Sequence, residues 1–152
     1  MHTSNNKPVI GAISTGTLQP FDLCHRFIPE VRRLRRGRLP LDAYHIFEAA
    51  KRAKQRYHPL WGELLDLLTQ QLEGEALPGT YFGSGQCPDD LGFWIDHDML
   101  TSLQHDGDLA VVQDLADVPK AAKGLYMLMN DHGNTSLYYF RRGRGRLLWA
   151  VV

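Results

Sequence analysis

The sequence has only two cysteines, no net charge, and nowhere the run of about 18 apolar residues that a membrane span requires. Each lack excludes something. Cys24 and Cys87 form neither a CxxC pair nor a Cys/His ligand spacing, so they read as reduced thiols rather than a disulfide framework or a zinc site. Met1 through Pro8 is polar and has no apolar stretch of the kind a secretory signal carries, so the expectation is a cytoplasmic protein without membrane contact. The HExxH, EF-hand, GxxxxGK[ST] and GxGxxG patterns are all missing. Their absence removes the familiar metalloprotease, calcium-loop and phosphate-loop readings, and no cofactor is expected. Internal repeats, heptads and low-complexity tracts are missing as well.

What is present is ordinary for a globular chain. With 152 residues, of which 43% are apolar and 22% charged, the sequence can bury a core of its own. It reads as one domain over residues 1–152, with residues 1–8 as a flexible N-terminal tail.

The zero net charge conceals a separation along the chain. Residues 25–57 hold ten basic and three acidic side chains, residues 58–140 hold two basic and thirteen acidic, and the last twelve residues add four arginines and no acid. Such a split can steer a partner or a second copy of the chain, but it does not determine a fold.

The first half reads as helical. A short apolar run, Val9 to Ile13, suits a first strand, followed by a small polar loop in which Thr17 or a neighbour can cap a helix that takes Pro20 in its first turn. Cys24, Phe27, Ile28, Val31 and Leu34 recur at helical spacing, and Pro29 predicts a kink or break near residue 28. A second helix places Ala43, Ile46, Phe47, Ala50, Ala53 and Tyr57 on one face and stops before Pro59. A third runs from about Leu60 to Glu73, striped by Trp61, Leu64, Leu65, Leu68 and Leu72, with Gly74 as its left-handed terminator.

At Leu77-Pro78-Gly79-Thr80, a type II turn signal, the texture changes to strands separated by glycine and aspartate. Tyr81-Phe82 and Gly92 to Ile95 suit a hairpin with a long loop, and Asp98 to Gln104 a short helix. Leu109 to Val112, Leu125 to Met129, Thr135 to Phe140 and Leu147 to Val152 read as strands, with turns at Asn130 to Asn134 and at Gly143-Arg144-Gly145. The predicted class is therefore α+β: about three N-terminal helices packed on a C-terminal antiparallel sheet that ends in a three-stranded meander.

Four groups of residues bear on chemistry. The loops holding Asp96, His97, Asp98, His105, Asp131 and His132 carry ligand-type side chains, yet their spacing matches no metal framework and turn preference accounts for them, so no metal site is expected. Cys87 lies in a glycine-rich loop with no base beside it in sequence. Ser14 to Thr17 precedes a helix, where free amides attract anions but where Ser and Thr also serve merely as caps. The densest signal is arginine: Arg32, Arg33, Arg35, Arg36 and Arg38 form one cluster, and Arg141, Arg142, Arg144 and Arg146 a second beside Tyr138, Tyr139 and Phe140. Arginine forks suit phosphates and aromatic rings stack on bases. The opposing reading is that these arginines pair with the acidic segment and the rings are shared between the two faces of a sheet.

Three stretches, Ile13 to Thr17 leading into Asp22-Leu23, Tyr81-Phe82-Gly83 with Gly92-Phe93-Trp94, and Asn130 to Asn134 with Leu137-Tyr138, resemble a group of small uncharacterised proteins carried by bacteriophages, plasmids and integrated elements. The resemblance implies an accessory role in a mobile element and supplies no catalytic residues. The expectation is a non-enzymatic binding module whose partner is a host protein or a second copy of the chain. Nucleic-acid binding through the arginines ranks second, and a small hydrolase or metal-dependent enzyme third. A homodimer through the C-terminal strand is the expected assembly, because a strand at a sheet edge invites pairing.

Overall fold

The computed structural model describes residues 6–152. Its elements are β1 (Gly11–Ser14), α1 (Pro20–Leu34), α2 (Leu41–Ala53), α3 (Leu60–Glu75), β2 (Thr80–Ser84), β3 (Leu91–Ile95), α4 (His97–His105), β4 (Leu109–Val112), a 3-10 turn (Leu115–Asp117), β5 (Gly124–Met129), β6 (Thr135–Arg141) and β7 (Arg144–Val151). The fold is α+β, with helices first and a meander last. The elements sort into two compact units, one of residues up to 76 together with 81–94, the other of residues 77–80 together with 95–152. Among the described residues, no helix is long and apolar enough to cross a membrane. Of the expected N-terminal tail, residues 1–5 lie outside the described residues. Pro8 is buried, and the Lys7 carbonyl accepts a hydrogen bond from the Arg33 guanidinium at 2.9 Å.

The first unit is built by helical periodicity. Leu23, Cys24, Phe27, Ile28, Val31 and Leu34 bury one face of α1, and Trp61, Leu64, Leu68 and Leu72 bury one face of α3. The less apolar α2 contributes the small Ala43 and Ala50, with Ile46 and Phe47 half-buried against the same core. Phe27 meets Phe82 edge-on with ring centroids 5.3 Å apart, and Phe82 meets Phe93 at 5.2 Å, so the aromatics tie α1 to the small sheet ordered β1-β3-β2. Gly92 pairs with Ala12 across β1 and β3, where a Cβ would stand 2.1 Å from the Gly11 carbonyl oxygen. Only glycine permits that approach.

Several helix boundaries differ from the sequence reading. Pro29 does not break α1, which runs through it to Leu34. The apolar face on both sides of the proline outweighs the hydrogen bond that the His25 carbonyl loses. Thr17 is not the N-cap of α1; Gln19 is, and Pro20 takes the first helical position as expected. Tyr57 is not on the buried face of α2, because Lys54 turns left-handed (φ 53°) and ends the helix; the Tyr57 side chain is 79% exposed. Gly74 does not terminate α3, which continues to Glu75 and closes at an extended Ala76.

The second unit is seated on the Pro78-Gly79 turn. Gly79 has φ 72°, Thr80 N–H donates to the Leu77 carbonyl at 3.0 Å, and the Trp149 indole donates to the Pro78 carbonyl at 2.9 Å. The sheet order is β4-β5-β6-β7, antiparallel from β5 onward. The sequence reading made the whole sheet antiparallel, but β4 joins β5 in parallel, the chain crossing over through the 3-10 turn capped by Asp114. Asp96 caps α4, accepting from Met99 N–H at 2.9 Å. The last turn falls one residue earlier than expected. Arg142 (φ 52°) and Gly143 (φ 73°) form a two-residue loop of the kind that matches strand twist, while Arg144 and Gly145 already belong to β7.

Candidate polyanion-binding face

The β6–β7 register fixes where the second arginine cluster stands. Tyr139 pairs with Arg146, and Arg141 with Arg144. Since alternate residues share a face and paired residues lie on the same side, these four side chains occupy one face of the hairpin. Tyr138 and Phe140 fall on the opposite face, where Phe140 is buried, lies edge-on to Tyr126 at 5.2 Å and covers the bare Cα of Gly145. Of the three aromatics that the sequence offered for stacking, Tyr139 alone accompanies the arginines, and it is exposed.

Two further cations join them that the sequence reading missed. The loop before β5 packs on the hairpin turn: Gly143 N–H donates to the Ala122 carbonyl at 3.0 Å, and the Lys120 carbonyl lies so close that a Cβ on Gly143 would be 2.0 Å from it. Lys120 and Lys123 are the only lysines or arginines between positions 58 and 140. The fold thus gathers every lysine and arginine beyond position 57 at one end of the second unit's sheet. A signal was present in the turn-rich Pro119 to Gly124 stretch, but only tertiary contact shows which turn it meets.

Among the described residues, no ion pair or side-chain hydrogen bond engages Arg141, Arg142, Arg144, Arg146, Lys120 or Lys123. The expectation that the second cluster pairs with the acidic segment is thereby overturned. Two of that segment's carboxylates, Asp96 and Asp114, serve as caps.

The first cluster, at the end of α1 in the other unit, is more mixed. Arg32 and Arg33 sit in the last helical turn, where positive charge complements the helix dipole. Arg33 is held by Glu30 (Nε to Oε2, 2.9 Å), whose hydrogen bond raises the guanidinium pKa further. Arg35 is the C-cap, and Arg36 (φ 55°) and Gly37 (φ 89°) turn the chain away. Arg32, Arg35, Arg36 and Arg38 are exposed.

The other candidates do not converge. His97 and His105 occupy opposite ends of α4, about 12 Å apart at 1.5 Å per residue. Asp131 and His132 lie in the β5–β6 turn, where the Asn130 side chain accepts from the amides of His132 and Asn134 at 3.0 Å each. Among the described residues, no group of three or more His, Cys, Asp or Glu could hold a metal ion. Cys87 is exposed, whereas Cys24 is buried, donates to the Trp61 carbonyl at 3.3 Å and has its pKa pushed up to about 12 by desolvation. In the Ser14 to Thr17 loop the Thr17 hydroxyl donates to the Asp22 carboxylate at 3.0 Å, which places an acidic side chain in the first turn of α1. Compared with protein-family models, curated proteins and solved structures, the chain matches none.

Proposed function

We propose that the chain is a non-enzymatic interaction module that grips nucleic acid through the β6–β7 hairpin. The observation that carries this reading is the cation set around Arg141 and Arg144, which has no ion-pair partner among the described residues although thirteen acidic residues lie between positions 58 and 140. Arginine forks on a rigid ladder can hold phosphates bidentately, Tyr139 beside them offers a ring for a base, and the adjoining lysines add charge without directional demand. The resemblance through Ile13 to Thr17 and Asn130 to Asn134 supports an accessory role in a mobile element as its setting.

The test is an anisotropy titration with short single- and double-stranded oligonucleotides over a range of salt. Four to six phosphate contacts give a log-log slope of roughly −3 to −5. Arg144→Glu should weaken binding and flatten that slope. Binding that ignores salt, or none at low salt, would overturn the reading. A second reading, self-association, is favoured by the position of β7 as the last strand of its sheet; sedimentation across a concentration series decides it.

A further inference from the structure

A second basic and aromatic feature lies in the first unit, independent of the hairpin. Phe21, His25 and Trp61 form a ring cluster, with centroids 4.4 Å apart for Phe21–His25, 4.9 Å for Phe21–Trp61 and 5.2 Å for His25–Trp61. Beside it opens a cleft of ≈ 370 Å³, lined by these rings together with Lys51, Lys54 and Arg56 and, among the described residues, by no acidic side chain. Volumes from about 300 Å³ upward are those of small-molecule sites, so the cleft admits one small ligand.

The cleft's frame is fixed in detail. The Trp61 indole donates to the Gln55 carbonyl at 3.0 Å and so pins the segment between α2 and α3. Arg56 lies over the Phe21 ring at 5.2 Å and is clamped by both Asp22 oxygens at 2.8 Å each. Lys51 lies over Phe47 at 4.5 Å and pairs with Glu48 at 2.6 Å. Lys54, held left-handed at the end of α2, has no ion-pair partner among the described residues. His25 Nδ1 is 2.7 Å from the Phe21 carbonyl, which can only accept, so Nδ1 is the donor in that contact.

We propose that this cleft binds a nucleoside monophosphate, its base against the Phe21–His25 surface and its phosphate on Lys54, with Lys51 and Arg56 on the rim. Rings alone would suit any apolar ligand, and cations alone any anion. Their union in a space too small for an oligonucleotide selects a compact molecule with a planar face and a negative group.

The test uses the full chain, with AMP, adenosine, ribose 5-phosphate and inorganic phosphate as probes in calorimetric titration. In parallel, the Trp61 indole N–H resonance is followed, assigned with Trp94→Phe and Trp149→Phe. AMP should saturate and shift Trp61, while adenosine and ribose 5-phosphate bind at least roughly tenfold more weakly. Lys54→Gln, at an exposed position, should cost AMP about the same factor, and Lys54→Arg should restore it. Arg144→Glu should leave AMP affinity unchanged, which separates this site from the hairpin. Absence of saturation in the millimolar range, ribose 5-phosphate matching AMP, or indifference to Lys54→Gln would each overturn the proposal.

Discussion

Arg141 and Arg144 face one another across the β6–β7 ladder, two like charges in register with no carboxylate engaging either among the described residues. Such a pair works against the hairpin, since opposed like charges destabilise a sheet where opposite charges would support it. Arg144→Glu should therefore raise folding stability by a few tenths of a kcal/mol in urea denaturation while it lowers oligonucleotide affinity. The opposed signs make the prediction specific. A variant that loses both stability and affinity would mean that Arg144 is a structural residue.

The turn that joins those strands should be equally asymmetric. Arg142 occupies the left-handed region as a non-glycine residue, so Arg142→Gly or Arg142→Asn should be tolerated and raise the melting temperature slightly. Gly143→Ala meets both a positive φ and the Lys120 carbonyl, so it should destabilise the second unit by on the order of 2 kcal/mol or more. The same change should free the loop that carries Lys120 and Lys123 and weaken oligonucleotide binding, read by amide exchange at Gly143 and by anisotropy.

The contrast between these two residues also indicates what the sequence could disclose. Strands β4, β5 and β6 were legible within about a residue because their apolar runs end at turn-forming residues. The start of β7 was not, since Gly-Arg-Gly reads as a turn until Phe140 is seen to cover Gly145. Helix interiors were likewise set by periodicity, whereas their ends were decided by single backbone choices, as at Lys54 and Ala76. Of the candidate site, the arginines were visible as a cluster, but their common face required the register, and Lys120 and Lys123 required tertiary contact. The cleft beside Trp61 has no local signature, because its rings and cations come from three separated stretches.

Cys24 provides a pH-dependent test of the first unit's core. Burial raises its thiol pKa from 9.0 to about 12. Between those values the unfolded chain releases a proton that the folded one keeps, so the unfolded state binds fewer protons and stability falls as pH rises. The contribution is fully present below pH 9.0 and is lost progressively up to about pH 12. Cys24→Ala should flatten that alkaline decline in urea midpoints measured across the range. In the native protein, iodoacetamide at neutral pH should modify the exposed Cys87 and spare Cys24. Equal labelling of both would mean that α1 opens readily.

Pro29 supplies the last prediction, because it stands in the interior of α1 and yet is exposed. A proline there withholds the amide that the His25 carbonyl would accept and crowds the preceding turn, a cost of up to about 3 kcal/mol in a helix interior. Since the helix continues on both sides, burial of Phe27, Ile28 and Val31 already offsets that cost. Pro29→Ala removes the penalty without disturbing any buried side chain, so it should stabilise the first unit by about 1–3 kcal/mol, read as a higher urea midpoint. The substitution also restores a hydrogen bond at His25, which lines the cleft beside Trp61. Should the proline shape that cleft, Pro29→Ala will lower AMP affinity as it raises stability. If the two are independent, the affinity will hold while the midpoint rises.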